Sequence, residues 1–474
     1  MRQFIIKHDK QVHRLLEILP GAFSWSLILF LLIGGFVIPF YVAHLVIIFY
    51  VFWFYKSVNI AVFSVIAYFR IKAGQIMDWL GEVKFFPDWQ KVHHIIVIVT
   101  YKEPIHILRR TLEAIAQQDF PLKQITVVLA TETRDSEAPQ KAKILKGEFG
   151  RRLANFFITR HTLLPNEVAG KASNENFATR WAKKELVDKR KMNINFITLT
   201  SCDADHTFHP KHFSYLAFRF LDSPRRYNLF WQPAVFFYNN FWRLPALTRV
   251  SNTFASIWNG ALLARTDRLI NCANYSTSLA MLDKIDYWDP DVIPEDYHVF
   301  FKAFYKLKGQ LEVEPIYLPV YADAAEGQTF WSTLTSQYRQ FQRWAWGISD
   351  DPYVIKNYFL TPGVSFWNKT IRLLRLLEDH FLWPVNWFFI TIGMTLPSLL
   401  HPTFSRTILG YNLPRLASLI LNLCLIFLAI ILIVDFKHRP PRPASVPRWR
   451  AFLIPLEFIL MPIAGFFFNA LPGL

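Results

Sequence analysis

Hydrophobic and polar positions divide this chain into three regimes. Residues 21–55 contain no Asp, Glu, Lys or Arg, and after Lys56 a second uncharged stretch runs to Phe69. One bilayer crossing takes about 20 apolar residues, so this block predicts two membrane helices with a turn near Pro39 and Tyr41. Three more candidate spans lie at the far end, at residues 381–400, 416–434 and 451–474. Between about 71 and 375 the pattern changes. HHIIVIVT (93–100) is the continuous apolar run of a strand buried on both faces. PIHILRRTLEAIAQQDF then places Ile105, Leu108, Leu112 and Ile115 on one helical face, with Pro104 in the first turn. ITVVLA (125–130), ANFFIT (154–159) and INFITLT (194–200) read as further strands, and SNENFATRWAKKEL as a helix. Strands alternating with helices predict a parallel α/β sheet with ligands at the carboxyl ends of its strands.

Composition agrees with the membrane blocks: 52% of residues are hydrophobic and 17% aromatic. The expected plan is residues 1–70 as an N-terminal arm with two spans, 71–375 as a soluble domain, and 376–474 as C-terminal spans. Arg2, Lys7, Lys10 and Arg14 precede the first span, and Lys437, Arg439, Arg442, Arg448 and Arg450 sit in the loop before the last. By the positive-inside rule both are cytoplasmic, which predicts a multi-pass cell-membrane protein with a cytoplasmic central domain and an external C-terminus. The first apolar block is too long for a cleavable signal peptide. The net charge of +16 flanks the spans, and without a nucleic-acid motif it points to the lipid bilayer or a phosphorylated substrate, not to nucleic acid. Cys202, Cys272 and Cys424 are too few for a disulfide framework or a thiolate metal site.

SCDADHTFH follows the fourth strand. Asp203 and Asp205, two residues apart at a strand end, can turn toward one point and suit a hard divalent cation, Mg²⁺ or Mn²⁺, that also takes phosphate oxygens. Alone, a DxD reads more simply as an Asx turn. His206 and His209 add a zinc alternative. Downstream come VIPEDYHVF, with Glu295 and Asp296, and SQYRQFQRWAWG, with Gln340, Arg343 and Trp344 in a QxxRW pattern.

DxD, then ED, then QxxRW, between membrane helices, resembles the membrane-integrated family 2 glycosyltransferases, the group of cellulose, hyaluronan and chitin synthases. The resemblance covers about residues 90–350. It implies a GT-A-like, Rossmann-type domain inserted between about two transmembrane helices before it and about three after. It also implies an inverting transferase using a nucleotide-diphosphate sugar, with a UDP-sugar expected, and Mg²⁺ or Mn²⁺. Asp205 would bind the metal, and Asp203 would hold the metal or the donor. Asp296 would be the base that deprotonates the acceptor hydroxyl. Gln340, Arg343 and Trp344 would lie near the donor diphosphate, with Trp344 also near the acceptor. Lys171 in GKASNENFA and Glu103 in TYKEP match positions near the nucleotide. Trp258, Asn259 and Gly260, with Glu295, would face the acceptor. Where relatives carry DDGS this chain has ATETRDSEA, so Glu132 or Asp135 stands in for the base contact, and Pro294 replaces a Thr or Gly.

Each residue also has a plainer reading. Glu295 and Asp296 would suit the first turn of a helix through its dipole. Arg343 and Trp344 would suit an interfacial amphipathic helix, Lys171 a solvated loop, and Gly260 a turn. NKTIRLLRLLEDHF (368–381) reads as an interfacial helix, and Glu457 is the only charge in the last candidate span. A glycan-elongating synthase is the expected function. Single-sugar transfer to a lipid, a non-catalytic nucleotide-sugar-binding membrane protein and a glycoside hydrolase are the alternatives.

Overall fold

The computed structural model describes residues 2–474. Helix α1 (Asp9–Val37) and helix α2 (Pro39–Ile76) meet at Ile38. Pro39 explains the break, because it lacks the N–H that would continue α1 yet its fixed φ starts a new helix. The turn thus falls one residue before the predicted Pro39. Helix α2 has 38 residues, about 57 Å at 1.5 Å each, well beyond the hydrocarbon thickness. Its last turns brace the sheet: Gly74 lies against the Tyr317 carbonyl, and Arg70 donates to the Tyr317 hydroxyl at 2.6 Å.

The central region then runs β1 (His93–Val99), α3 (Ile105–Ala116), β2 (Ile125–Glu132), β3 (Asn155–His161), α4 (Lys171–Lys183), β4 (Ile197–Asp203) and β5 (Thr207–Phe208). It continues with β6 (Leu229–Phe236), α5 (Ala246–Leu263), β7 (Ser276–Ser278), α6 (Glu295–Lys306), β8 (Glu312–Tyr321), α7 (Phe330–Ala345) and α8 (Phe366–Leu382). Helices α9 (Ile408–His438) and α10 (Arg448–Gly473) follow. The strands form one mixed sheet in the order β3-β2-β1-β4-β7-β6-β8-β5. Its first four strands are parallel, and β7 runs antiparallel to β4 and β6. Val99 pairs with Asp203 and Glu132 with His161, so the carboxyl ends of β1 to β4 form one edge. Ile95, Val97, Val128, Leu199 and Phe230 fill the core on one face of the sheet, and Ile96, Ile98, Val127 and Trp231 on the other. The fourth strand is displaced from the predicted 194–200. The Asn193 side chain accepts from the Asn195 N–H and closes a 3₁₀ turn, so pairing starts at Ile197 and Asp203 is the last strand residue.

Among the described residues four helices are long and apolar enough to cross a membrane: α1, α2, α9 and α10. Two follow the sheet domain, where three were expected. Residues 381–400 are instead interrupted, with α8 ending ahead of Pro384 and a π turn at Phe389–Gly393. The Tyr50 hydroxyl donates to a carbonyl of this π turn, Ile390 O, at 2.9 Å. The segment nevertheless accompanies α1, from Phe381 beside Phe23 to Pro397 and Leu400 beside Gly35.

Helix α10 carries Pro455, Pro462 and Pro472, and it folds back against the domain. Trp383 Nε1 donates to Asn469 O at 2.9 Å, and Gly473 abuts Trp383. Glu457 has a structural partner: Arg249 of α5, only 2% exposed, donates to both its oxygens at 2.7 and 3.1 Å. Removing one member of a buried pair strands the other charge, at a cost of about 3–5 kcal/mol. Glu457→Ala is therefore expected to lower the unfolding temperature in detergent clearly, and Arg249→Met/Glu457→Leu to recover most of it.

Candidate active site

The loops leaving the carboxyl edge gather the charged residues. Lys171 is the first residue of α4, not a solvated loop residue. Its ammonium lies 3.1 Å from Asp203 Oδ1, 3.1 Å from Glu295 Oε1 and 3.4 Å from Asp296 Oδ1. It therefore joins the end of β4 to the first turn of α6. The Asp203 N–H donates to Asn274 Oδ1 at 3.1 Å, and Asn271 donates to Asp296 O at 2.8 Å, so both ends of the cluster are tied to the segment before β7.

These contacts set the charges. Burial pushes the Asp203 carboxyl up, but Lys171, His206 and Arg343 together outweigh it and the net shift is down. Asp296 goes the other way: burial and the adjacent Glu295 raise it well above the ordinary carboxylate range against the pull of Lys171. Lys171, disfavoured by burial, is held charged by Asp203, Asp296 and Glu295. Sequence reasoning missed Glu175, four residues on, which is 0% exposed with both carboxyl oxygens unpartnered. Burial raises it to about 8 against the pull of Lys171. Its signal was available in KASNEN, where polar residues occupy the helical positions that face the sheet.

Asp205 lies in the loop after β4. Its carbonyl accepts from Arg110 at 3.1 Å and from Asn239 at 3.1 Å, and Arg110 also pairs with Asp323 at 2.8 Å. His206 Nδ1 is 2.9 Å from Asp205 Oδ1 and 3.9 Å from Asp203 Oδ2, so both carboxylates converge on one side of the ring. Among the described residues no three His, Cys, Asp or Glu form a metal-holding group. The pair fits a hard cation that completes its shell with water and phosphate oxygens.

The Glu103 carboxyl accepts from Thr100 Oγ1 at 2.6 Å and from the Tyr101 N–H, while burial raises its pKa. Asp135 accepts from the Lys102 N–H at 2.9 Å, fixing this turn, where Lys102 has φ 69°. Glu132 is buried and bonded to Arg134, so of the two stand-ins neither presents an unpaired carboxylate. Gln340, Arg343 and Trp344 lie on α7, whose start is closed by a Thr329–Ser332 capping box. Arg343 acts on Asp203 through its charge, Trp344 packs on Phe237 and Phe341, and Gln340 Oε1 is buried without a partner. Trp258 and Gly260 go elsewhere. Trp258 packs in the α2–α9 cluster with the Lys56 ammonium over its ring, and Gly260 sits against Phe236. Asn259 donates to Val235 O at 3.4 Å.

The sequence model described as glycosyl transferase family 2 matches residues 95–286, and that described as glycosyl transferase family group 2 matches residues 199–434. This is a glycosyltransferase. Together the two matched regions cover residues 95–434, which include most of the mixed sheet, Lys171 with its three carboxylate partners, and α7. No curated protein sequence matches the chain. Among solved structures it is similar to the mannosyltransferase PcManGT from Pyrobaculum calidifontis in complex with GDP-Man and Mn²⁺. That match has 13% identity and TM-score 0.44, covering 84% of this chain and 100% of that one. It is also similar to S. aureus TarS 1–349 in complex with UDP-GlcNAc, at 15% identity and TM-score 0.34, covering 75% of this chain and 95% of that one.

Proposed function

We propose that this glycosyltransferase is an inverting, membrane-embedded enzyme that elongates a glycan on the cytoplasmic side, using a UDP-sugar. The observation that carries this reading is the contact of Lys171 with Asp203, Glu295 and Asp296. One ammonium ties the acidic strand end that would face a diphosphate to the carboxylate that would take the acceptor proton. Displacing a nucleoside diphosphate builds negative charge on the leaving phosphate, and Lys171 with Arg343 would stabilise it. Asp203 and Asp205 would hold Mg²⁺ or Mn²⁺, which when bound supplies Lewis-acid stabilisation of that charge. Asp296, raised above the ordinary carboxylate range by burial and by Glu295, is a stronger base for a hydroxyl proton than an exposed carboxylate. Glu103 sits close enough to Asp205 for its charge to be felt, which supports a nucleotide-side role.

Because the base must be ionised, transfer should fall as pH drops through the raised Asp296 value. Lys and Arg flanking α1 and α10 support the cytoplasmic orientation. The aromatic core around Phe49, Trp53, Trp387 and Phe389, closely packed between α2 and the interrupted segment, favours a second reading: addition of one sugar to a lipid acceptor. Product length separates the two.

Donor binding tests the metal assignment. Asp205→Ala and chelator should each weaken binding of the UDP-sugar by at least tenfold, about 1.4 kcal/mol. Equal binding by wild type and variant would contradict it.

A further inference from the structure

The helix that starts with Glu295 and Asp296 is gripped from behind. His298, two positions past Asp296, leaves the opposite face of α6, and its ring is 4% exposed. Nδ1 is 2.6 Å from Asp350 Oδ1, and Nε2 is 2.8 Å from Asp289 Oδ2. Each ring nitrogen thus faces a carboxylate, and an imidazolium, with a proton on both nitrogens, would donate to both at once.

The partners come from different elements. Asp289 belongs to the loop leading into α6, and Lys302 of α6 also bonds it at 2.6 Å. Asp350 ends the turn Trp346–Asp350, which directly follows the helix bearing Gln340, Arg343 and Trp344. The Tyr353 ring packs 4.3 Å from the imidazole. The neighbouring Asp351 is bonded to His380 of α8 at 2.7 Å, so this turn is held from two sides.

We propose that His298, as an imidazolium, is a positioning residue that fixes the Glu295–Asp296 turn against the turn ending the QFQRW helix. It thereby sets the spacing between the proton acceptor and the diphosphate-facing Arg343. A misplacement of 1 Å can cost about 10²-fold in rate, so such a clamp acts on turnover more than on donor binding. This rests on the reading of Asp296 as the base.

The charge balance agrees with the geometry. Burial would lower His298, but the bonds to Asp289 and Asp350 outweigh it and hold it at about 9. Asp289, pushed up by burial, is brought down to about 2 by His298 and Lys302, so it is ionised. A histidine raised in the folded state contributes fully below its unfolded value of about 6.5. That contribution is lost as pH rises toward 9. Lys171 is held charged at still higher pH, so the clamp should open first.

The test pairs kinetics with a direct reading of the ring. In wild type, kcat should fall with a midpoint near pH 9. In His298→Gln, whose single amide nitrogen cannot reach the two carboxylates that now face two separate ring nitrogens, kcat at pH 7.5 should drop at least tenfold. Donor KM should stay within about threefold, and the alkaline limb should vanish. Nitrogen-15 NMR of histidine-labelled wild-type protein in micelles should show both His298 nitrogens protonated at pH 7.5, with the same midpoint. A single-proton tautomer at pH 7.5 would overturn the clamp, as would unchanged kcat in the variant with only lowered thermal stability. A doubly protonated ring together with full activity of Asp296→Asn would instead leave the clamp standing and remove the base assignment. The NMR reading holds even if the variant fails to fold.

Discussion

Replacing Asp296 with asparagine should lower transfer by roughly 10²–10⁴-fold and leave UDP-sugar binding unchanged. The substitution keeps the size of the side chain and removes the acceptor for the hydroxyl proton. It also deletes one of the carboxylates facing Lys171, which still has Asp203 and Glu295 at 3.1 Å each. The ammonium therefore stays in place, and the donor side of the site should be intact. The acid limb of the rate profile should disappear with the group that produces it. A variant that loses donor binding as much as transfer would show that Asp296 holds the cluster together instead of taking a proton.

Lys171→Met should have a comparably large effect through a different route. It leaves Asp203, Glu295 and Asp296 facing one another without the cation that now separates them, and Glu175 beneath them. Removing one partner of a buried charge cluster costs about 3–5 kcal/mol, so thermal stability should fall. Like charges crowded together take up protons, which would push Asp296 higher still and move the acid limb toward alkaline pH. Loss of the cation facing the leaving phosphate should add roughly 10²–10³-fold in rate. Unlike Asp296→Asn, this variant should also bind the donor weakly. Restoring a cation of different shape with Lys171→Arg tests charge against geometry, and only partial recovery is expected, because the planar guanidinium cannot meet three carboxylates as a point charge does.

Much of this arrangement was readable in the chain because its signals are local. The apolar run of β1 and the 3.6-residue spacing in α3 gave their elements within a few residues. The order of SCDADH, IPEDY and QFQRW pointed to the acidic and basic residues of the candidate site, of which Asp203, Glu295 and Asp296 lie around Lys171. What escaped depended on contacts far apart in sequence. Asn193 moved the start of β4, so Asp203 became a strand residue paired across from Val99. Pro384 and the π turn broke a segment whose composition alone looks like a span. Glu457 looked like an isolated intramembrane acid until α10 folded back onto Arg249, 208 positions away in sequence. Trp258 sits in a motif resembling an acceptor surface, yet α5 turns it toward α2 and Lys56. Lys171 was ambiguous for the same reason: nothing near it in sequence reveals that Glu295 and Asp296 lie beside it.

The most direct measurement is nucleoside diphosphate release by the purified protein in lipid, across a panel of nucleotide sugars with Mn²⁺ or Mg²⁺, repeated with chelator and with Asp296→Asn. Release from a UDP-sugar that stops in both controls is the predicted result. Release that continues undiminished in Asp296→Asn would contradict the account.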